Sequence, residues 1–127
     1  MDEFVKVMKA LSDMNRVKIL MALQQRSMCV CELQQLLEVP QPTVSKHLKL
    51  LEACGLLRRT KDGSWVNYSI VKGSRRPYVS ILLAGLQHWL EDDPQIIELQ
   101  QKLPQIHRSL IVSECAETEK RADAMEG

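Results

Sequence analysis

The stretch QPTVSKHLKLLEACGLLRRTKDGSWVNYSI (residues 41–70) changes its hydrophobic period part-way along, and that change decides the fold class. In its first half Val44, Leu48 and Leu51 recur at helical spacing, and Pro42 occupies an early helical position where a missing N–H is harmless. Gly55 then has the character of a helix C-terminal cap. Beyond it, residues 56–60 and 65–71 read as strands, separated by KDGS, whose Asp-Gly pair is a strong short-range hairpin signal. A helix leads directly into a β-hairpin.

Working outward toward the N-terminus, EVPQP (38–42) carries two prolines, each of which removes a donor and restricts the residue before it. A tight turn is expected there, preceded by a short helix that follows Ser27 and runs through Leu37, with Val30, Leu33 and Leu37 facing inward. Two further helices are predicted upstream. One covers residues 2–11 with an apolar stripe of Phe4, Val5, Met8 and Leu11, and the other covers about 13–25. In the second, Val17, Leu20 and Met21 form one row and Ile19 and Leu23 the next, so its apolar face is wide, and Ser12 or Asp13 can cap its start.

Toward the C-terminus, YVSILLAGLQHWL (78–90) is apolar on most faces. A helix of that kind is buried on more than one side, and in a chain this small one side is expected to be another subunit. Pro94 and Pro104 bracket a further helix over 95–103. The predicted architecture is mainly α with a small β-hairpin, a dimeric winged helix-turn-helix. One domain is expected over residues 1–110, followed by a polar tail over 111–127.

A net charge of +1 conceals a strong asymmetry. Residues 41–76 hold eight cations (Lys46, Lys49, Arg58, Arg59, Lys61, Lys72, Arg75, Arg76) against Glu52 and Asp62, a balance of +6, while residues 91–127 stand at −5. A basic middle suggests an anionic partner. No apolar run reaches the roughly 18 residues of a membrane span, since Arg16, Lys18 and Arg26 interrupt the most apolar N-terminal segment. MDEF opens acidic, without the basic lead of a signal peptide, so the expectation is a cytoplasmic protein with no membrane partner. In that compartment Cys29, Cys31, Cys54 and Cys115 are better read as thiols than as structural disulfides.

Cys29 and Cys31 flank Val30 at the start of the short helix. Each helical step turns the chain by about 100°, so residues two apart point to nearly opposite sides. Either Cys29 lies at an unravelled first turn, or an ion that joins both sulfurs distorts the helix. Thiolate donors select soft ions, which admits As(III), Sb(III), Cd(II), Pb(II) and Zn(II) and excludes Mg and Ca.

The stretches ALSDMNRVKIL, CVCEL, QPTVSKHLKLLEACGLL and RRTKDGSWVNYSI lie in order between Ala10 and Ile70, nearly half the chain. Together they resemble the ArsR/SmtB family, dimeric bacterial repressors that release DNA when a metal or metalloid binds. The resemblance implies that the helix over 41–53 enters the major groove of double-stranded operator DNA, presenting Gln41, Thr43, Ser45, Lys46, His47 and Lys49 as its exposed positions. Arg58, Arg59 and Lys61 in the wing would sit on phosphates or in the minor groove, with Trp65 as wing packing. A homodimer would set its two reading helices about 34 Å apart on an imperfect inverted repeat.

CVCEL resembles the arsenic or cadmium sensing site of that family, with As(III), or else Sb(III) or Cd(II), as inducer and no organic cofactor. There is one departure. Arsenic sensors of the best-known pattern carry a third cysteine three residues after the second, and Gln34 stands at that position. Cys115, from the tail, is the candidate third ligand beside Cys29 and Cys31, with Cys54 a weaker one. A repressor whose thiols respond to oxidants or sulfur species is the alternative. The sequence has no Gly-rich phosphate loop, no His-Glu metal motif and no nucleophile-base pair, so an enzyme is not expected.

Overall fold

Asp13 turns the chain into its central helix, α2 (Met14–Leu23), by accepting bonds from the backbone N–H groups of Asn15 and Arg16 at 2.8 and 3.1 Å. These are two of the donors that a helix start leaves without partners. The computed structural model describes residues 1–73 and 75–107. Within them α2 is preceded by α1 (Asp2–Ala10) and followed by β1 (Met28–Cys29), α3 (Val30–Leu37), α4 (Gln41–Ala53), β2 (Leu57–Asp62), β3 (Trp65–Ile70), α5 (Pro77–Trp89), α6 (Pro94–Lys102) and a 3₁₀ turn (Leu103–Gln105). This is the predicted winged helix-turn-helix, with one strand more than the hairpin requires.

The wide apolar face read for α2 is its defining property. Ile19, Leu20, Met21, Ala22 and Leu23 are all buried, and the helix touches α3, α4, α5, α6 and β3. Its neighbours are tied to it by side chains that reach their backbone carbonyls. Arg16 donates through Nε to the Ala10 carbonyl at 2.8 Å and through a terminal nitrogen to that of Lys9 at 3.2 Å, closing the end of α1. Gln24 donates to the Leu83 carbonyl of α5 at 2.9 Å.

The extra strand corrects the sequence reading. Met28 and Cys29 are extended and pair antiparallel with Tyr68 and Asn67, giving a sheet of order β1-β3-β2. A strand of two residues shows no alternation of its own, and its partner lies far along the chain. The hairpin is also longer at its tip than expected. Asp62 pairs with Trp65 across a two-residue loop, and Gly63 there has φ of 63°.

The apolar stripe of α1 is rotated from the one expected. Val7 and Ala10 enter the core, Met8 and Leu11 line its edge, and Phe4 and Val5 stay 41% and 39% exposed. Helical spacing permits both assignments, and the two smaller side chains allow the closer approach. Phe4 meets Tyr78 of α5 edge-on, with ring centroids 5.2 Å apart. On α5 only Val79 and Leu83 are buried, while Ile81 and Trp89 remain 66% and 63% exposed. In α3, Leu36 rather than Leu37 completes the inward face with Val30 and Leu33. The stripe of α4 is as read: Val44, Leu48 and Leu51 are fully enclosed.

Burial raises the Asp13 pKa, but the Arg16 backbone bond, the charges of His47 and Arg16 and the Asn15 bond outweigh it, so the carboxyl lies below its ordinary value. A depressed folded-state pKa means stability that is present above the unfolded value and lost as pH falls through the carboxylate range. Replacing Asp13 with Ala is expected to cost about 1 kcal/mol at neutral pH. In urea unfolding the gap between variant and wild type should close below about pH 4.

Candidate nucleic-acid interface and thiol site

The turn between α3 and α4 is made by Glu38, whose φ of 57° and ψ of 43° place it in the left-handed region, followed by Val39 and Pro40. Its N–H bonds the Gln34 carbonyl at 2.9 Å, ending α3. The Pro40 carbonyl then accepts from Thr43 and Val44 at 3.0 and 3.2 Å, which starts α4. With Val44, Leu48 and Leu51 inside, the opposite arc of α4 carries exposed Lys46 and Lys49 and half-buried Gln41, Thr43 and Ser45. Gln41 donates to Ser45 Oγ at 3.3 Å, one turn on.

His47 departs from that set. Its side chain is only 13% exposed, with Nδ1 at 3.3 Å from an Arg16 nitrogen and Nε2 at 3.8 Å from Asp13 Oδ1. It braces α4 against the start of α2 instead of facing outward. Periodicity along α4 shows which arc is polar, but not that α2 offers two polar partners beside one edge of it.

The C-terminal end of α4 is held from α5. Arg76 donates to the Cys54 carbonyl at 2.9 Å, and its guanidinium fills the space beside Gly55 where a Cβ would otherwise project. Gly55 also has φ of 82°, so glycine is required there on two counts. In the wing, Arg58, Arg59 and Lys61 are all exposed on β2. Alternation puts Arg58 on one face and Arg59 with Lys61 on the other, and Arg59 Nε lies 3.5 Å from Glu52 of α4.

The cysteines resolve the geometric conflict raised by their spacing. Cys29 is not helical: with φ of −87° and ψ of 170° it is the N-cap of α3, while Cys31 lies in the first turn. The first of the two alternatives therefore holds in this structure. Both are buried, at 0% and 6% exposure, in a small cluster with Trp65 that is separate from the main core. Cys29 and Cys54 carry thiols, whereas Cys31 is disulfide-bonded, so the expectation of a thiol is corrected at that position. Cys54 sits at the end of α4 with its thiol directed to the Leu51 carbonyl at 3.4 Å, and burial pushes its pKa up, away from thiolate character. Cys115 and the tail over 111–127 lie outside the described residues. Among the described residues no three His, Cys, Asp or Glu side chains converge to hold a metal ion.

Sequence reasoning missed what fixes this turn. Glu32 is the buried charged residue among those described, and its Oε1 accepts the Cys29 backbone N–H at 3.1 Å. Oε2 is 2.7 Å from Arg26, which also donates to the Ile106 carbonyl at 2.6 Å. The only signal in the sequence was the Glu three places after the cap, a capping-box spacing with Cys in place of Ser or Thr.

A model of the bacterial regulatory proteins of the arsR family matches residues 13–59, the span from the Asp13 cap to the first residues of β2. The arsenic resistance transcriptional regulator of Pseudomonas putida is 35% identical over 92 residues, covering 68% of this chain and 71% of that protein. The chain belongs to the ArsR family. Among solved structures, the homodimeric winged helix-turn-helix DNA-binding domain of a possible ArsR-family regulator from Mycobacterium bovis has a TM-score of 0.59 at 26% identity, covering 73% of this chain and 82% of that one. The antimony-specific transcriptional repressor AntR has a TM-score of 0.58 at 27% identity, covering 74% and 82%. This ArsR-family protein is accordingly a transcriptional repressor and not an enzyme. No helix among the described residues is long and apolar enough to cross a membrane.

Removing Arg26 would leave the Glu32 carboxylate enclosed without its cation. Arg26→Ala is expected to lower the free energy of unfolding by about 2–3 kcal/mol in urea titration. Arg26→Lys should recover only part of this, because one ammonium cannot span the carboxylate and the Ile106 carbonyl as the guanidinium fork does.

Proposed function

We propose that this ArsR-family protein is a homodimer that holds an imperfect inverted-repeat operator until As(III) is captured by Cys29 and Cys31. The observation that carries the reading is the seating of both cysteines in one buried cluster at the cap of α3, immediately before the helix-turn-helix. Gln41, Thr43, Ser45, Lys46 and Lys49 form the face that reads base edges and phosphates in the major groove, and Arg58, Arg59 and Lys61 bind the adjoining backbone. His47 serves by bracing α4. The exposed apolar residues of α1 and α5, Phe4, Val5, Ile81 and Trp89, supply the partner-facing surface, in keeping with the homodimeric relative.

Capture of arsenious acid needs reduced thiols. Each sulfur displaces one hydroxide, and the thiol proton leaves with it as water, so arsenic stays in its +3 state and nothing is oxidised. We assign Cys115 as the third sulfur donor. Sb(III) and Cd(II) are chemically suited to the same donors. Because coupling is reciprocal, operator DNA must weaken As(III) binding by the same factor by which As(III) weakens DNA binding.

One observation favours a second reading, a repressor switched by thiol oxidation: Cys31 stands in a disulfide. There, two thiols give up two electrons and two protons to an oxidant such as a peroxide.

Fluorescence anisotropy with the DNA upstream of the protein's own gene separates these readings. Under reducing conditions arsenite should weaken wild-type binding by roughly 10- to 100-fold. The Cys29→Ser, Cys31→Ser double variant should stay bound, and Cys115→Ser should take up arsenite less tightly by thiolate absorption. Release by oxidant alone, with no response to arsenite, would establish the redox reading instead. In the same assay Lys46→Ala and Arg58→Ala should each weaken binding and each reduce the slope of log affinity against log salt by about 1.

A further inference from the structure

We propose that Trp65 is the positioning residue through which the cysteine pair controls the wing, so that inducer capture loosens β2 and its cations before it disturbs α4. The proposal rests on the reading of Cys29 and Cys31 as the inducer site and adds the route by which that site acts.

Three observations lead to it. The face of α3 that packs toward the interior is made by Val30, Leu33 and Leu36, all in the main core, whereas Cys29 and Cys31 pack apart from it against Trp65. The backbone of Cys29 is then laddered to the wing, not to α4: its strand partner is Asn67, two residues along β3 from Trp65. Finally β3 pairs with β2 along its full length, from Ile70 opposite Leu57 to Trp65 opposite Asp62. Any displacement of Trp65 is thus carried into the strand that bears Arg58, Arg59 and Lys61.

By contrast α4 is anchored by contacts that do not involve either sulfur. Val44, Leu48 and Leu51 are fully enclosed, His47 is braced by Arg16, and Arg76 holds the Cys54 carbonyl. The ion pair from the wing to α4, Arg59 to Glu52 at 3.5 Å, is a weak restraint with side chains 47% and 32% exposed. Interiors are close-packed, so an ion joined to both sulfurs, once Cys31 is reduced, needs room beside them, and a side chain packed there is an indole near the tip of a two-stranded ribbon. The ribbon yields more readily than the core.

The test compares wild type, Trp65→Leu and Trp65→Phe, each kept reduced, with arsenite as the probe and the upstream DNA fragment as the ligand. Arsenite affinity is read by thiolate absorption, and the release factor is the ratio of operator affinities without and with arsenite. Trp65→Leu is expected to bind arsenite within about threefold of wild type while its release factor falls about tenfold, and Trp65→Phe should restore most of that factor. A Trp65→Leu protein released as strongly as wild type would overturn the proposal. Amide hydrogen exchange on the wild-type protein without DNA provides a readout that needs no variant. Arsenite should reduce protection across β2 and β3 and leave α4 unchanged, and a change confined to α4 would equally overturn the idea. A wild type that arsenite does not release removes the inducer reading itself, which is distinct from a responsive wild type matched by an equally responsive Trp65→Leu.

Discussion

The junction at Cys29, where an extended residue becomes the cap of a helix, is the constraint on which the site depends. Two interactions hold it there. On one side the backbone pairs with Asn67 of β3, and on the other its N–H is claimed by Glu32, whose own charge is answered by Arg26. A buried carboxylate without a cation would be strongly unfavourable, so the Arg26 link is not incidental to the cap. Because Arg26 reaches the Ile106 carbonyl as well, a single guanidinium joins the cysteine turn to the end of the described chain. The sulfurs are therefore presented on a backbone that is held from both sides.

Charge and shape divide the labour along the chain. The middle third concentrates cations on α4 and β2, on the surfaces that the core leaves outside, while α1 and α5 leave apolar side chains in that position. In the proposed function these surfaces serve an anionic duplex and a second subunit. The two kinds of surface lie on different elements, and α2, which touches α3, α4, α5, α6 and β3, sits between them. Arg16 shows how closely the parts are joined, since one side chain closes the end of α1 and braces His47 on α4.

Much of this was legible from residues alone. The period of Val44, Leu48 and Leu51, the prolines of EVPQP and the Asp-Gly pair are local signals, set by φ, ψ and side-chain spacing within a few residues, and each marked its element correctly. The rotation of α1 was not legible, because Phe4 and Val5 fit a helical stripe as well as Val7 and Ala10 do until a neighbouring helix selects the smaller pair. Nor was the inward turn of His47, which answers to Asp13 and Arg16 across a helix-helix contact.

The sequence by itself determined the helix-turn-helix, the hairpin that follows it and the presence of two soft donors on either side of Val30. Only the tertiary structure decided that Cys29 is extended, that both sulfurs face Trp65 instead of the main core, and that Arg26 and Glu32 lock the turn. The physical reason is range. A helix stripe or a turn is written in neighbouring residues, whereas the Arg26 to Ile106 bond joins positions 80 apart and exists only once the chain has closed around α2.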